Sequence, residues 1–193
     1  LLAVQAAMHE LRAGRSDMML AGGVNASISA EVYMVFHQLG ALAKSGHVRP
    51  FTEGGDGTLL GEGLGVLALK RLDDALATGE RIYAVIKGVG QSSDGRGGGL
   101  LAPRMEGEML AIERALQDAG LTAIAPGLIE AHGTGIPLGD RTEINALRGM
   151  YGARAEDGLP RTAIGSVKSM IGHCIPAAGA AGMIKASLAL YHR

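Results

Sequence analysis

A chain of 193 residues can bury one sizeable core or form part of a larger one. Apolar residues make up 47% and charged residues 19%, and the net charge is −1 with no basic block, so nothing electrostatic favours nucleic acid or an anionic membrane surface. Cys174 is the one cysteine; it excludes an internal disulfide framework and a multi-cysteine metal site, and points to a reducing, cytoplasmic setting.

The chain opens Leu1-Leu2-Ala3-Val4 without an initiator Met and reads like mid-helix, so it is expected to be truncated. Residues 1–14 show helical periodicity, with Leu2, Ala6, His9 and Ala13 near one face and Gly14 as a stop. Residues 17–24 form an apolar run ending in two glycines, a buried strand, and 30–40 a short helix. Residues 43–63 are polar and glycine-rich, a long loop of the kind that is functional or mobile. Strand character returns at 64–72, where Val66, Ala68 and Lys70 alternate against Leu67 and Leu69, and 73–79 is a connecting helix. A further strand is expected at 82–89 and a glycine-rich loop at 92–99.

Residues 103–120 give the clearest amphipathic helix: Met105, Met109, Ile112 and Leu116 form its stripe, Glu106, Glu108, Glu113 and Arg114 lie off it, and Gly120 ends it. Strands at 127–131 and 163–167 lead into His132 and Lys168, with a helix at 140–150 between them and a last helix at 176–191. The most membrane-like stretch, 174–190, contains Lys185 and owes its hydropathy to Ala and Gly, so it reads as a buried helix rather than a span. Small residues on several of its faces suit a helix between sheets. The alternation of strands and helices predicts an α/β fold with a largely buried sheet, without solenoid repeats.

Two glycine-flanked histidines, each placed at a strand end, carry the chemistry. His132 precedes Gly-Thr-Gly, and a side chain there projects from the carboxyl end of a strand, where open α/β sheets bind ligands. Spacing alone leaves a backbone-bonded turn histidine open. Asp140 and Glu143 are accounted for as favourable charge at the start of the next helix. His173 has the same character as His132, and Lys168, among Ile164, Val167 and Ile171, must snorkel or find a partner. Two imidazoles and a lysine converging on one pocket can hold a thioester carbonyl and stabilise its enolate. Cys174 is adjacent to His173, so their side chains point apart and the cysteine reads as a small buried filler.

Three other motifs fail. Gly61-Glu62-Gly63-Leu64-Gly65 lacks the dinucleotide spacing and leads into a strand, and Ala43-Lys44-Ser45 lacks the P-loop glycines. His132-Gly133-Thr134 is similar to the histidine segment of subtilisin-like proteases, but no serine completes a hydrolase triad.

Four segments in order resemble β-ketoacyl synthases, in particular ketosynthase domains of polyketide and polyunsaturated fatty acid synthases. They are Asp17 through Val24; Arg49-Pro50-Phe51 with Asp56-Gly57 and Gly61-Glu62-Gly63; Ile129 through Gly135; and Gly165-Ser166-Val167-Lys168 through His173. The resemblance implies a thiolase-like five-layer α/β fold (α/β/α/β/α), incomplete at both ends. Residues 1–75 would end its N-terminal half and 80–193 form most of its C-terminal half. It also implies a homodimer working with an acyl carrier protein. The acyl and malonyl-type thioesters ride on that carrier's phosphopantetheine, and no cofactor or metal binds the chain directly. His132 and His173 would stabilise the enolate of a decarboxylative Claisen condensation, with Lys168 tuning the charge around them.

The family's nucleophile is expected just upstream of Leu1 and its glycine-rich gating segment beyond Arg193, so the isolated chain is expected to be inactive and poorly soluble. Ile136 replaces a common Thr, Met170 stands where polyketide synthases usually have Asn, and Gly182 where discrete fatty-acid enzymes often have Glu. Two alternatives stay open. One is a decarboxylating or chain-length-factor homologue without the nucleophile; the other is a non-catalytic dimerisation or carrier-docking module.

Overall fold

The computed structural model of the chain describes residues 1–95, 102–122, 125–152 and 162–192. The first helix, α1 (Leu2–Arg12), buries Val4, Ala7, Met8 and Leu11. The spacing is helical as expected, but the face is rotated from the one through Leu2 and Ala6, and Leu2 faces solvent. Arg71 closes the end of α1: one Nη donates to the carbonyls of Leu11 and Ser16, while the rest of the guanidinium pairs with Asp17 and Asp74.

Strands β1 (Met18–Asn25) and β2 (Gly63–Lys70) pair antiparallel, Met18 opposite Lys70 and Asn25 opposite Gly63. This register puts Met19, Ala21, Leu67 and Leu69 on one face, packed with Val4, Ala7 and Met8. The other face carries Met18, Leu20, Val24, Leu64 and Val66 and is open, Leu20 being 70% and Leu64 74% exposed. Between these strands lie α2 (Ala30–Gln38), which buries none of its residues, and the long loop. After β2 comes α3 (Leu72–Ala77).

Residues 82–89 are not a strand. Burial alternates along them as the sequence predicts, and Ile86 and Val89 pack on the core cluster, but no ladder partner exists among the described residues. Their neighbour is a helix, α4 (Met105–Ala119), so close that a Cβ on Gly90 would lie 2.1 Å from the Ala111 carbonyl. Of the loop expected at 92–99, residues 96–99 lie outside the described residues.

Helix α4 ends at Gly120 (φ 65°), as its sequence indicates. It packs on α5 (Pro137–Tyr151), which begins three residues ahead of the expected position 140, with Pro137 in the first turn. Glu108, expected to lie off the apolar stripe of α4, is half-buried, and its Oε2 is enclosed without a hydrogen-bond partner among the described residues.

Strands β3 (Leu128–Glu130) and β4 (Ala163–Gly165) pair in parallel, Leu128 opposite Ala163. A single-turn helix, α6 (Lys168–Ile171), a 3₁₀ turn (Ile175–Ala177) and α7 (Ala178–His192) complete the chain. As its small residues predict, α7 lies between the sheets. Ala180 and Ile184 face Gly65 of β2, while Gly182 and Lys185 meet Glu130 of β3. Among the described residues, no helix is long and apolar enough to cross a membrane.

Candidate active site

The two histidines converge: their rings are 5.6 Å apart, edge to face at 87°. His132 leaves β3 on a turn that two carboxylates of α5 grip. Glu143 accepts the N–H groups of His132 (2.7 Å) and Gly133 (2.9 Å). Asp140 accepts those of Gly135 (3.2 Å) and Phe51 (2.8 Å). These residues therefore do more than supply charge near a helix start; they fix the backbone of the histidine turn.

The turn needs its glycine. Gly133 has φ 40°, and a Cβ there would lie 2.7 Å from Ser166 Cβ and 2.9 Å from the Phe51 ring. Phe51 itself sits at φ 59°, an uncommon conformation for a bulky side chain, held by its bond to Asp140.

His173 is not at a strand end. β4 stops at Gly165, the chain turns through Ser166 and Val167, and α6 intervenes. The imidazole is instead carried by the long loop of the first half: the His173 N–H donates to the Leu59 carbonyl (2.7 Å), and the Gly61 N–H donates to the His173 carbonyl (3.1 Å). The Ile175 N–H donates to His173 Nδ1 at 3.1 Å, which places the proton of the neutral ring on Nε2.

Lys168 does not snorkel. It is 4% exposed, and its Nζ donates to the His132 carbonyl at 2.6 Å, where the Ser166 hydroxyl also donates. Burial lowers its pKa, while Glu143, Glu130, Cys174 and Asp140 oppose that shift. Burial, the Lys168 charge and His132 push the His173 imidazole down to about 4. His132 is also lowered, by desolvation of its ring and by Lys168, against the opposing pull of Glu143 and Asp140. Both imidazoles are thus neutral hydrogen-bond donors at neutral pH.

Cys174 is 2% exposed, its thiol raised in pKa by burial and its Sγ nearest the Glu62 carbonyl at 3.7 Å. It is a packing residue, as expected. Ser166 and Phe51, which the sequence marks only as parts of the resembling segments, gain their roles from the structure, as does the double grip of Glu143. The signal available was the Asp-x-x-Glu spacing directly after the histidine turn.

Residues 1–75 match the model of the β-ketoacyl synthase N-terminal domain, and residues 83–193 that of the C-terminal domain. The chain is 42% identical over 193 residues to 6-methylsalicylic acid synthase of Aspergillus niger, covering 100% of the chain and 11% of that protein. It is 41% identical over 194 residues to a polyunsaturated fatty acid synthase polypeptide of a Thraustochytrium species, covering 100% of the chain and 7% of that protein. The chain thus spans about a tenth or less of these curated relatives. Among solved structures it is similar to the ketosynthase from module 6 of the bacillaene synthase of Bacillus subtilis, at TM-score 0.90 and 36% identity over 97% of this chain and 34% of that one. It is also similar to the ishigamide ketosynthase/chain length factor, at TM-score 0.87 and 38% identity over 99% of this chain and 45% of that one.

Proposed function

Because the chain belongs to the β-ketoacyl synthase family and has its thiolase-like α/β fold, we propose that it is a segment of a ketosynthase that performs decarboxylative Claisen condensation in polyketide or fatty acid synthesis. The observation that carries this is the pair of neutral imidazoles at 5.6 Å, with Lys168 bonded to the carbonyl of one of them. Residues 1–75 close the first thiolase-like half and 80–193 build most of the second. The acyl and malonyl-type units arrive as thioesters on the phosphopantetheine of an acyl carrier protein, the assembly is a homodimer, and its setting is cytoplasmic.

His132, His173 and Lys168 form the catalytic set. In the condensing step the bond between the malonyl α-carbon and its carboxylate breaks, carbon dioxide leaves, and the electron pair moves onto the thioester oxygen. The imidazole N–H groups donate to that oxygen as its charge develops. The enolate carbon then attacks an acyl thioester formed earlier on a cysteine, which departs as thiolate. Cys174 cannot be that cysteine, because its thiol is buried and raised in pKa.

The 193-residue chain alone is accordingly inactive: incubated with an acyl-carrier thioester, it gains no acyl mass by intact mass spectrometry. Measurable acyl transfer would refute this. In a complete ketosynthase domain carrying this segment, His132→Ala or His173→Ala slows release of carbon dioxide from malonyl thioester by about 10²–10³. Unchanged release would end the oxyanion assignment. The same assay tests the decarboxylating alternative, which keeps this release and lacks acyl transfer.

A further inference from the structure

Glu130, the last residue of β3, holds two partners with its carboxylate. Oε1 accepts the Val167 N–H at 2.6 Å, and Oε2 meets the Lys185 ammonium, from the middle of α7, at 2.7 Å. The Glu130 side chain is 11% exposed. Room for it exists because Gly182 has no side chain: a Cβ there would stand 3.1 Å from Glu130 Cγ. Val167 immediately precedes Lys168, and Ser166 and Lys168 both donate to the His132 carbonyl. One carboxylate on β3 therefore ties down the turn that follows the neighbouring strand β4. A partly buried ion pair contributes little net stability, so its geometry needs another account.

We propose that Glu130 and Lys185 are positioning residues for Lys168, holding the turn at residues 166–168 so that the ammonium meets the His132 carbonyl. This rests on the role of Lys168 given above.

The test uses a complete ketosynthase domain carrying this segment and NMR titration of the His132 and His173 imidazoles. Lys168 lowers both histidine pKa values, so Lys168→Met raises them. If Glu130 positions Lys168, Glu130→Ala releases the ammonium and raises them too, by about half a pH unit. Loss of the Glu130 charge alone acts in the opposite direction. Glu130→Gln keeps an acceptor for Val167 and loses only the charge, so it lowers them. A fall or no change in Glu130→Ala, with a rise in Lys168→Met, overturns the positioning role. No change in Lys168→Met removes the role of Lys168 and the proposal with it, and the two failures are thereby distinguished. Should Glu130→Ala not fold, Glu130→Asp serves: it keeps the charge and shortens the reach to Val167, so a rise in both pKa values supports the proposal and no change overturns it. Amide exchange at Val167 should accelerate at least roughly tenfold relative to Ala131, whose N–H bonds the Gly165 carbonyl. Equal rates overturn the proposal.

Discussion

Replacing Glu108 by glutamine should stabilise the chain at alkaline pH and leave it unchanged in acid. Burial, then the charges of Glu143 and Asp94, push this carboxyl from 4.5 up to about 7. A shift of about 2.5 units at 1.36 kcal/mol each sets a ceiling of about 3.4 kcal/mol. The group is only half-buried, and solvent screening reduces this to about 1–2 kcal/mol. Between pH 4.5 and 7 the folded chain holds a proton that the unfolded chain has lost, so stability falls as pH rises through that window and is level outside it. His173 works in reverse. Its folded value of about 4 lies below the ordinary 6.5, so the unfolded chain binds the extra proton and stability falls as pH drops through that range. The two slopes overlap and offset each other in the parent chain. Glu108→Gln removes one of them, so urea unfolding followed by circular dichroism should show stability climbing from about pH 4.5 to 6.5, with a gain of about 1–2 kcal/mol at about pH 8. An equal gain at about pH 4 and pH 8, or a loss at pH 8, would refute the assignment.

Glu143→Ala strands the N–H groups of His132 and Gly133 and should cost about 2–4 kcal/mol in thermal unfolding, with Glu143→Gln recovering part of the loss. Gly133→Ala meets both a positive φ and two side chains within 3.0 Å, and should cost about 2 kcal/mol or more by the same measure. The open face of β1 and β2 should bind a hydrophobic dye and promote association, and Leu20→Lys with Val66→Lys should reduce both; unchanged dye binding would place the exposed surface elsewhere.

The motifs around His132 and Lys168 were legible because glycine, histidine and lysine in these contexts have few structural alternatives. Three features were not. Alternation along 82–89 encodes which residues are covered, not what covers them: here Ile86 and Val89 pack on the cluster of α1 and β1, and α4 lies against Gly88 and Gly90. Glu108, expected to lie off the stripe, stands one turn before Ile112, and that spacing brings it to the edge of the apolar face. His173, expected at a strand end, is separated from β4 by a turn and by α6. Ser166 bonds across to the His132 carbonyl and Val167 bonds Glu130, so β4 ends at Gly165 and the chain turns. The carboxylate grip on the histidine turn depends on long-range proximity that one sequence does not display.

The loop between α2 and β2 reaches both histidines, through Leu59 and Gly61 at His173 and through Phe51 and Gly57 at the turn after His132. The fit is specific on both sides: a Cβ on Gly61 would lie 2.4 Å from the Ile171 carbonyl, and one on Gly135 would lie 2.6 Å from that of Gly57. A crossover at residues 76–82, between the two matched domains, would therefore draw these mated surfaces from different parents. Chimaeras that exchange residues 49–61 together with 132–173 keep the joint intact; those that exchange either alone must evolve it again.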